Sequence, residues 1–277
     1  SEPPMPRPTP LTAGPEPTPP EPLLPPAGRW RWVAVAVVGL ALLVRLAVVL
    51  KIRAGYVPQT DAQQFDLLAS RLSEHHTFGS APQAGMIGPT ALRAPLYPLF
   101  LAGVYTVFGA GSWTWGLLAN AVLGAIAVGL LGIVATQLLG RRVGLVAILI
   151  AAVHPAMVLT GTSLQLEPLL TCLCLGGLAA ALQHRRAPRG ARWPIVAGVC
   201  LGLGMLTREQ AFFFLPAVGW LLLTAGGRGP RWRDAAAWRA IGATAVAAVV
   251  VVIPWTIRNA HELHAFVPVT TSAGFGL

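Results

Sequence analysis

Long apolar runs separated by short basic clusters make up most of this 277-residue chain. Several runs reach or approach the roughly 20 residues that an α-helix needs to span a bilayer. The runs predict helices at residues 32–51, 112–139, 143–161, 165–183, 193–206, 210–224 and 238–257. This pattern predicts an all-α fold, a polytopic transmembrane bundle of about seven helices.

The composition agrees with a membrane protein. The chain is 55% hydrophobic and 11% charged, whereas a soluble domain carries about 25% charged residues. The net charge of +10 could indicate nucleic-acid binding, but the arginines lie in clusters between apolar runs. Such clusters are typical of cytoplasmic loops, so the bilayer is the expected partner and nucleic acid is not.

The basic clusters also predict an orientation. Those around residues 29–31, 141–142, 185–192 and 228–239 all fall on one side of the predicted helices, which the positive-inside rule makes cytoplasmic. The N-terminus is then cytoplasmic in a multi-pass protein of the cell membrane. The acidic residues outside the tail gather on the external side, except Asp234. An external functional face explains that clustering.

Two domains are predicted. Residues 1–28 hold 12 of the 25 prolines, a composition that cannot bury a core and predicts a disordered cytoplasmic tail. Residues 29–277 form the transmembrane module, with residues 52–111 as its first external loop.

That loop is long enough to suggest function. Thr60 and Gln63 fit a capping box, and Phe65, Leu68 and Leu72 recur at helical spacing. These residues predict an amphipathic helix lying on the membrane surface. Residues 95–110 predict a second, juxtamembrane helix, because a crossing there would move the basic pair at 141–142 outside.

Asp61 and Glu167 each stand in the first turn of a predicted external helix. A carboxylate in that position can remove a proton from an attacking hydroxyl. Alternatively, the carboxylate has only a structural role, in which its negative charge complements the helix macrodipole. From residue type alone, both interpretations stand.

Three arginines raise similar alternatives. Arg208 and Glu209 form the tip of two short helices, a predicted re-entrant hairpin, where Arg208 can bind phosphate or only pair with Glu209. Arg258 ends the last helix beside Trp255 and can snorkel toward water. Arg45 near the external end of the first helix is also expected to snorkel.

Five short segments together resemble the GT-C glycosyltransferases, in particular family 39 with its protein O-mannosyltransferases and lipid A aminoarabinose transferases. They are TDAQQF with Asp61, RAPLYP with Arg93, LQLEP with Glu167, GLGMLTR with Arg208, and PWTIRN with Arg258. RAPLYP departs from the family pattern, which has Pro at position 94 and His or Lys at position 93. The resemblance covers residues 30–277 and implies an N-terminal fragment of a longer protein.

The resemblance also implies a function. A sugar would move from a polyprenyl-phosphate donor to a lipid, glycan or protein acceptor on the external face, with inversion. The implied roles are catalysis by Asp61 and Glu167, binding of the donor phosphate by Arg93, Arg208 and Arg258, and support from Glu209, Tyr97 and Asn259. No cofactor is required, although a divalent metal shared by Asp61 and Glu167 is compatible with the pattern.

Two other functions fit the same residues. Short, glycine-interrupted helices with a charged tip also suit a transporter or flippase of lipid-linked glycans. A non-catalytic membrane scaffold is the third alternative. No internal repeat supports transport, and the ionisable residues gather at one face instead of the midplane.

Overall fold

The computed structural model describes residues 27–81, 86–109, 113–188, 190–226 and 229–271. Most of the predicted N-terminal tail therefore lies outside the described residues. The described part is helical apart from one short hairpin and the connecting loops. Its elements are α1 Ala27–Ile52, α2 Asp61–His75, β1 Gly79–Ala81, β2 Met86–Pro89, α3 Leu96–Phe108, α4 Trp113–Leu139, α5 Arg141–Val153, α6 Pro155–Thr160, α7 Glu167–Arg186, α8 Arg192–Thr207, a 3₁₀ helix Glu209–Phe214, α9 Leu215–Leu223 and α10 Ala235–Leu263.

Three of these helices are long and apolar enough to cross a bilayer, judged by length and composition within the described residues. They are α1 from Trp30 onward, α4 and α10. Apolar side chains such as Leu43 and Val246 remain 64% exposed on them, as expected of surfaces that face lipid. The helix α3 has 13 residues, which is shorter than a span and fits its predicted juxtamembrane position.

The long helices pack side by side. Helix α1 lies against α4 and α5, α4 lies against α7, α7 against α8, and α8 against α10. Helix α9 fills the space between α7 and α10. At one end of this bundle, α2 and α3 pack on each other through the edge-to-face pair of Phe65 and Tyr97, whose ring centroids are 5.1 Å apart.

Small residues allow α8 and α10 to approach closely, as is common between membrane helices. A Cβ atom added at Gly198 would lie 2.2 Å from the Thr244 carbonyl oxygen, and one at Gly202 would lie 2.8 Å from the Ala248 carbonyl oxygen. The Thr244 hydroxyl also donates to the Pro194 carbonyl at 2.9 Å. The interface therefore has no room for a side chain at these glycines.

We expect Gly198→Ala to destabilise the protein by about 1–3 kcal/mol, because the added methyl group overpacks this interface. Gly219→Ala is the matched control, since nothing lies within 4 Å of its added Cβ atom. Thermal unfolding of both variants in the same detergent measures the difference. Equal melting temperatures would contradict the close approach of α8 and α10.

The predicted helix 143–161 is wrong as one continuous element. It is divided into α5 and α6 at His154, whose backbone is extended, and Pro155 begins α6. Proline has no N–H group, so the helical hydrogen bonds stop there. The break frees backbone carbonyls in the interior of the bundle.

Arg45 binds one carbonyl at this break and another in α6, and the expectation that Arg45 snorkels is also wrong. Its side chain is fully buried, and its guanidinium donates to the carbonyls of Ala152 at 3.1 Å and Met157 at 3.2 Å. Gly124 and Gly161 make room for it, since added Cβ atoms there would lie 2.7 and 3.0 Å from Arg45 Nε. A buried charge needs such hydrogen bonds to offset its desolvation.

The loop helix begins at Asp61 as predicted, but two details differ. The Thr60 side chain makes no capping hydrogen bond, so the capping box does not form. The apolar face of α2 packs against α3 and the neighbouring helices instead of lying open to lipid, and Phe65 is 1% exposed. The hairpin of β1 and β2 was not predicted from the sequence.

The predicted re-entrant hairpin turns at Arg208, where α8 ends in extended backbone. The second segment of the hairpin, predicted as one helix at 210–224, begins with the 3₁₀ helix and continues as α9. This turn brings the charged tip to the same end of the bundle as α2.

Candidate functional site

A cavity of about 350 Å³ opens at the end of the bundle where α2, α7 and α8 meet. Asp61 and Arg93 line it from the long loop, and Arg208 and Glu209 line it from the turn after α8. Residues that are up to 148 positions apart in the sequence thus face one space. Four of the predicted site residues are brought together here.

Asp61 and Arg93 form one side of the cavity. Arg93 Nη2 lies 2.5 Å from Asp61 Oδ1, and Arg93 Nε donates to Gln64 Oε1 at 2.7 Å. The same guanidinium lies 5.6 Å from the centroid of the Phe65 ring. These contacts fix the first turn of α2 to the RAPLYP segment, while the Asp61 side chain remains 52% exposed to the cavity.

Glu167 and Arg208 form a second ion pair beside the first. Arg208 Nη1 lies 3.4 Å from Glu167 Oε1, and both side chains are partly exposed. Arg208 Nε also donates to Gln210 Oε1 at 3.1 Å. A guanidinium carries five N–H donors, so these two bonds leave donors for an incoming anion. The other oxygen of Glu167, Oε2, is buried and has no hydrogen-bond partner among the described residues.

Thr60, directly before Asp61, has an unusual backbone conformation with φ of 49°. Positive φ is rare for a β-branched residue, and such strain costs about 1–3 kcal/mol and clusters at functional sites. Its position next to Asp61 supports a functional role for this turn.

Behind the cavity, Asp66 anchors α2 in a way that sequence reasoning missed. Its Oδ1 accepts from the Tyr105 hydroxyl at 2.5 Å and its Oδ2 accepts from Trp113 Nε1 at 3.0 Å. Burial raises the pKa of the Asp66 carboxyl, and the two hydrogen bonds oppose that rise. One signal was present in the sequence, since Asp66 interrupts the apolar stripe of Ala62 and Ala69.

Asn120 in α4 holds the segment that leads to Glu167, and it too was missed. Its amide nitrogen lies 2.5 Å from the Ser163 carbonyl and 2.8 Å from the Gln165 carbonyl. The same nitrogen donates to the Tyr97 hydroxyl at 3.0 Å. Tyr97, a predicted supporting residue, is fully buried and does not line the cavity.

Arg258 and Asn259 do not line the cavity. Arg258 donates to the carbonyls of Phe78 at 2.8 Å and Thr90 at 2.9 Å, and it stacks on Trp255 at 4.8 Å. Asn259 is buried and donates to the Val267 carbonyl at 3.0 Å. Both residues tie the end of α10 to the β-hairpin and to the following chain. Phosphate binding by Arg258 remains a prediction.

The residues of the cavity suit an anionic, hydroxyl-bearing ligand. Two arginines can donate in parallel to phosphate oxygens, and two carboxylates stand beside them. Of the residues that the structure describes, no group of three or more His, Cys, Asp or Glu side chains converges on a possible metal site. Asp61 and Glu167 each hold an arginine through one carboxylate oxygen, Asp61 Oδ1 with Arg93 and Glu167 Oε1 with Arg208.

The fold and the site define a GT-C-type integral membrane protein, a bundle of apolar helices with a charged cavity at one end. The chain belongs to the dolichyl-phosphate-mannose-protein mannosyltransferase family, whose model matches residues 92–255. The family resemblance inferred from the sequence motifs is therefore confirmed. No curated relative matches the chain significantly.

Two solved structures share the fold. The chain is similar to ArnT from Cupriavidus metallidurans in the apo state, with a TM-score of 0.65 and 20% identity over 87% of this chain and 44% of that one. The form of that protein bound to undecaprenyl phosphate gives a TM-score of 0.62 at 20% identity, over 87% and 43% of the two chains. The chain thus spans less than half the length of these relatives, and the likeness establishes the fold.

Proposed function

We propose that this chain carries the donor-binding and catalytic part of a glycosyltransferase that uses a polyprenyl-phosphate-linked sugar. The observation that carries the proposal is the cavity itself. Two carboxylates and two arginines from separate segments meet at the end of an apolar helical bundle. Such a place lets a lipid tail remain in the bilayer while its phosphate and sugar reach polar groups.

In the proposed reaction, Asp61 acts as general base. Its carboxylate accepts the proton of the acceptor hydroxyl as the hydroxyl oxygen attacks the anomeric carbon of the sugar. The bond from that carbon to the phosphate oxygen breaks, and the polyprenyl phosphate leaves with the electron pair. Attack opposite the leaving group inverts the anomeric configuration.

The arginines act on the leaving group. Charge on the phosphate grows as the sugar–phosphate bond breaks, and preorganised donors that face this charge lower the barrier. Arg208 is best placed for this role, because Glu167 and Gln210 hold it at the cavity. Arg93 holds Asp61 in place and offers a second cation to the donor phosphate.

Glu167 and Glu209 have supporting parts in the proposal. Glu167 orients Arg208, and its unpaired Oε2 can accept a hydrogen bond from a sugar or acceptor hydroxyl. Glu209 lines the cavity beside Arg208. The mechanism needs no metal ion, since the charge of the leaving phosphate is met by arginine.

The active face is proposed to be external. Helix α7 begins at Glu167, which pairs with the cavity residue Arg208, and ends with His184, Arg185 and Arg186. The two ends of one helix therefore separate the charged cavity from a basic cluster. The positive-inside rule places the basic end in the cytoplasm and the cavity on the opposite side.

A polyprenyl donor is supported by the fold relatives, since one of the ArnT structures contains undecaprenyl phosphate. The test is transfer of radiolabelled sugar from a panel of polyprenyl-phosphate donors, using membranes that contain the complete gene product. Transfer above that of membranes lacking the protein is the expected result. Absence of transfer with every donor, together with movement of the labelled lipid across the membrane, would favour a flippase instead.

A further inference from the structure

A second charged cavity lies at the opposite end of the bundle from the candidate site. It has a volume of about 310 Å³, and its lining includes His184, Ala191, Arg231 and Arg239. Along α7, His184 lies roughly 25 Å from Glu167, since an α-helix rises about 1.5 Å per residue. None of the residues predicted for sugar transfer lines this cavity.

His184 is the most informative residue of this cavity. Its exposed fraction is 6%, and its Nδ1 atom is buried with no hydrogen-bond partner in the described part of the chain. A neutral imidazole carries one N–H, and burying that donor unpaired on Nδ1 would be unfavourable. The proton therefore belongs on Nε2, where it can be donated to a ligand in the cavity.

Two arginines add positive charge beside His184. Arg231 pairs with Asp234, which also caps α10 by accepting from the Ala236 backbone nitrogen at 2.7 Å. Arg239 is exposed, and no ion pair or hydrogen bond joins it to another residue in the ranges that the structure describes. Its guanidinium is thus open to an external anion.

The start of α8 contributes to the same space. Ala191, directly before the helix, lines the cavity, and no side chain caps the first turn of α8. The N-terminus of a helix carries partial positive charge and favours anions. The walls are held in place, because Gly226 N donates to the Arg185 carbonyl at 2.8 Å and Arg231 N donates to the Leu223 carbonyl at 2.9 Å.

Tryptophans place this cavity at the level of the membrane interface. The ring centroids of Trp220 and Trp232 are 6.5 Å apart, as are those of Trp232 and Trp238. All three side chains are at least half exposed. Exposed tryptophans are typical of the zone where lipid headgroups lie.

We propose that the cavity of His184, Arg231 and Arg239 binds a phosphate group, at the predicted cytoplasmic surface and apart from the sugar-transfer site. The group is either the phosphate of an anionic lipid headgroup or free phosphate. Both sources offer the oxygens that arginine, an imidazole N–H and a helix N-terminus recognise. The proposal does not depend on the proposed glycosyltransferase activity.

The test compares Arg239→Gln with Arg142→Gln in the purified complete protein. Both changes remove one exposed arginine from the predicted cytoplasmic side, but only Arg239 lines the cavity. Binding of phosphatidylglycerol in phosphatidylcholine nanodiscs is measured by native mass spectrometry. We expect an affinity loss of about tenfold for Arg239→Gln, the size of one charged hydrogen bond, and less than twofold for Arg142→Gln.

A second experiment distinguishes the phosphate of a lipid headgroup from free phosphate. Inorganic phosphate is titrated against the same proteins in pure phosphatidylcholine, and the melting temperature is followed. Stabilisation of the wild type but not of Arg239→Gln identifies free phosphate, whereas selective loss of phosphatidylglycerol binding alone identifies a lipid headgroup. Equal melting temperatures without ligand confirm that both variants are folded.

Two results would overturn the proposal. If Arg239→Gln and Arg142→Gln lost affinity for phosphatidylglycerol equally, the binding would be a diffuse attraction between basic residues and anionic lipid. Unchanged binding in Arg239→Gln and in His184→Ala, with neither ligand stabilising the wild type selectively, would mean that the cavity binds no phosphate group.

Discussion

Replacing Asp61 by Asn is expected to lower the rate of sugar transfer by about 10²- to 10⁴-fold, the usual contribution of a positioned general base. Asparagine keeps the shape of the side chain and can still accept a hydrogen bond from Arg93, but it cannot take the proton of the acceptor. Donor binding should change little, because the arginines remain. The measurement is initial rate of transfer in membranes, with expression matched to the wild type.

Glu74→Gln is the matched control for this substitution. Glu74 is an exposed carboxylate on the same helix α2, and it does not line the cavity. Its loss should leave transfer within about twofold of the wild type, as for most exposed positions. Transfer by Asp61→Asn at the wild-type rate would remove Asp61 from catalysis and leave its carboxylate with a structural role in the first turn of α2.

Replacing Arg208 by Gln is expected to lower transfer by about 10²- to 10³-fold, the cost of removing one donor that faces developing charge. The change also leaves Glu167 without the cation that lies 3.4 Å away. Because the charge on the phosphate grows in the transition state, the turnover number should fall more than the affinity for the donor. Steady-state kinetics over a range of donor concentrations separates the two effects.

Arg258→Gln provides the informative comparison. The contacts of Arg258 with the Phe78 and Thr90 carbonyls predict that its loss lowers the melting temperature and leaves turnover per folded molecule nearly unchanged. A folded Arg258→Gln protein with as large a loss of turnover as Arg208→Gln would instead place Arg258 at the donor phosphate. The pair of variants therefore tests which of the predicted phosphate ligands the cavity uses.

Some of the site was accessible from sequence, because its signals are local. Asp61 and Glu167 each begin a helix, and Arg208 follows a glycine-containing apolar helix. These short patterns, together with the family resemblance, made each residue a candidate individually. No local pattern predicts the two ion pairs, because their partners are far apart in the sequence. Asp61 contacts Arg93, 32 positions away, and Glu167 contacts Arg208, 41 positions away.

The wrong expectation for Arg45 and the unforeseen contacts of Arg258 have the same physical cause. The sequence placed Arg45 and Arg258 near helix ends, where snorkelling is the usual solution for a long cation. In the folded chain, the break at His154 leaves the Ala152 carbonyl for Arg45, and the two residues that flank the β-hairpin, Phe78 and Thr90, supply carbonyls to Arg258. Neither acceptor can be seen from the residues next to the arginine.

The amino-acid sequence alone was enough to show that this is a helical membrane protein, and it predicted that the acidic residues outside the tail, except Asp234, lie on the side opposite the basic clusters. Those properties depend on the length and charge of single segments, which are readable without any partner. The contacts of the folded chain were needed to show that Asp66 and Asn120 hold the elements around the cavity and that Arg258 lies outside it. Such roles depend on which buried donors and acceptors come into contact. The packing of helices that are distant in the sequence determines those contacts.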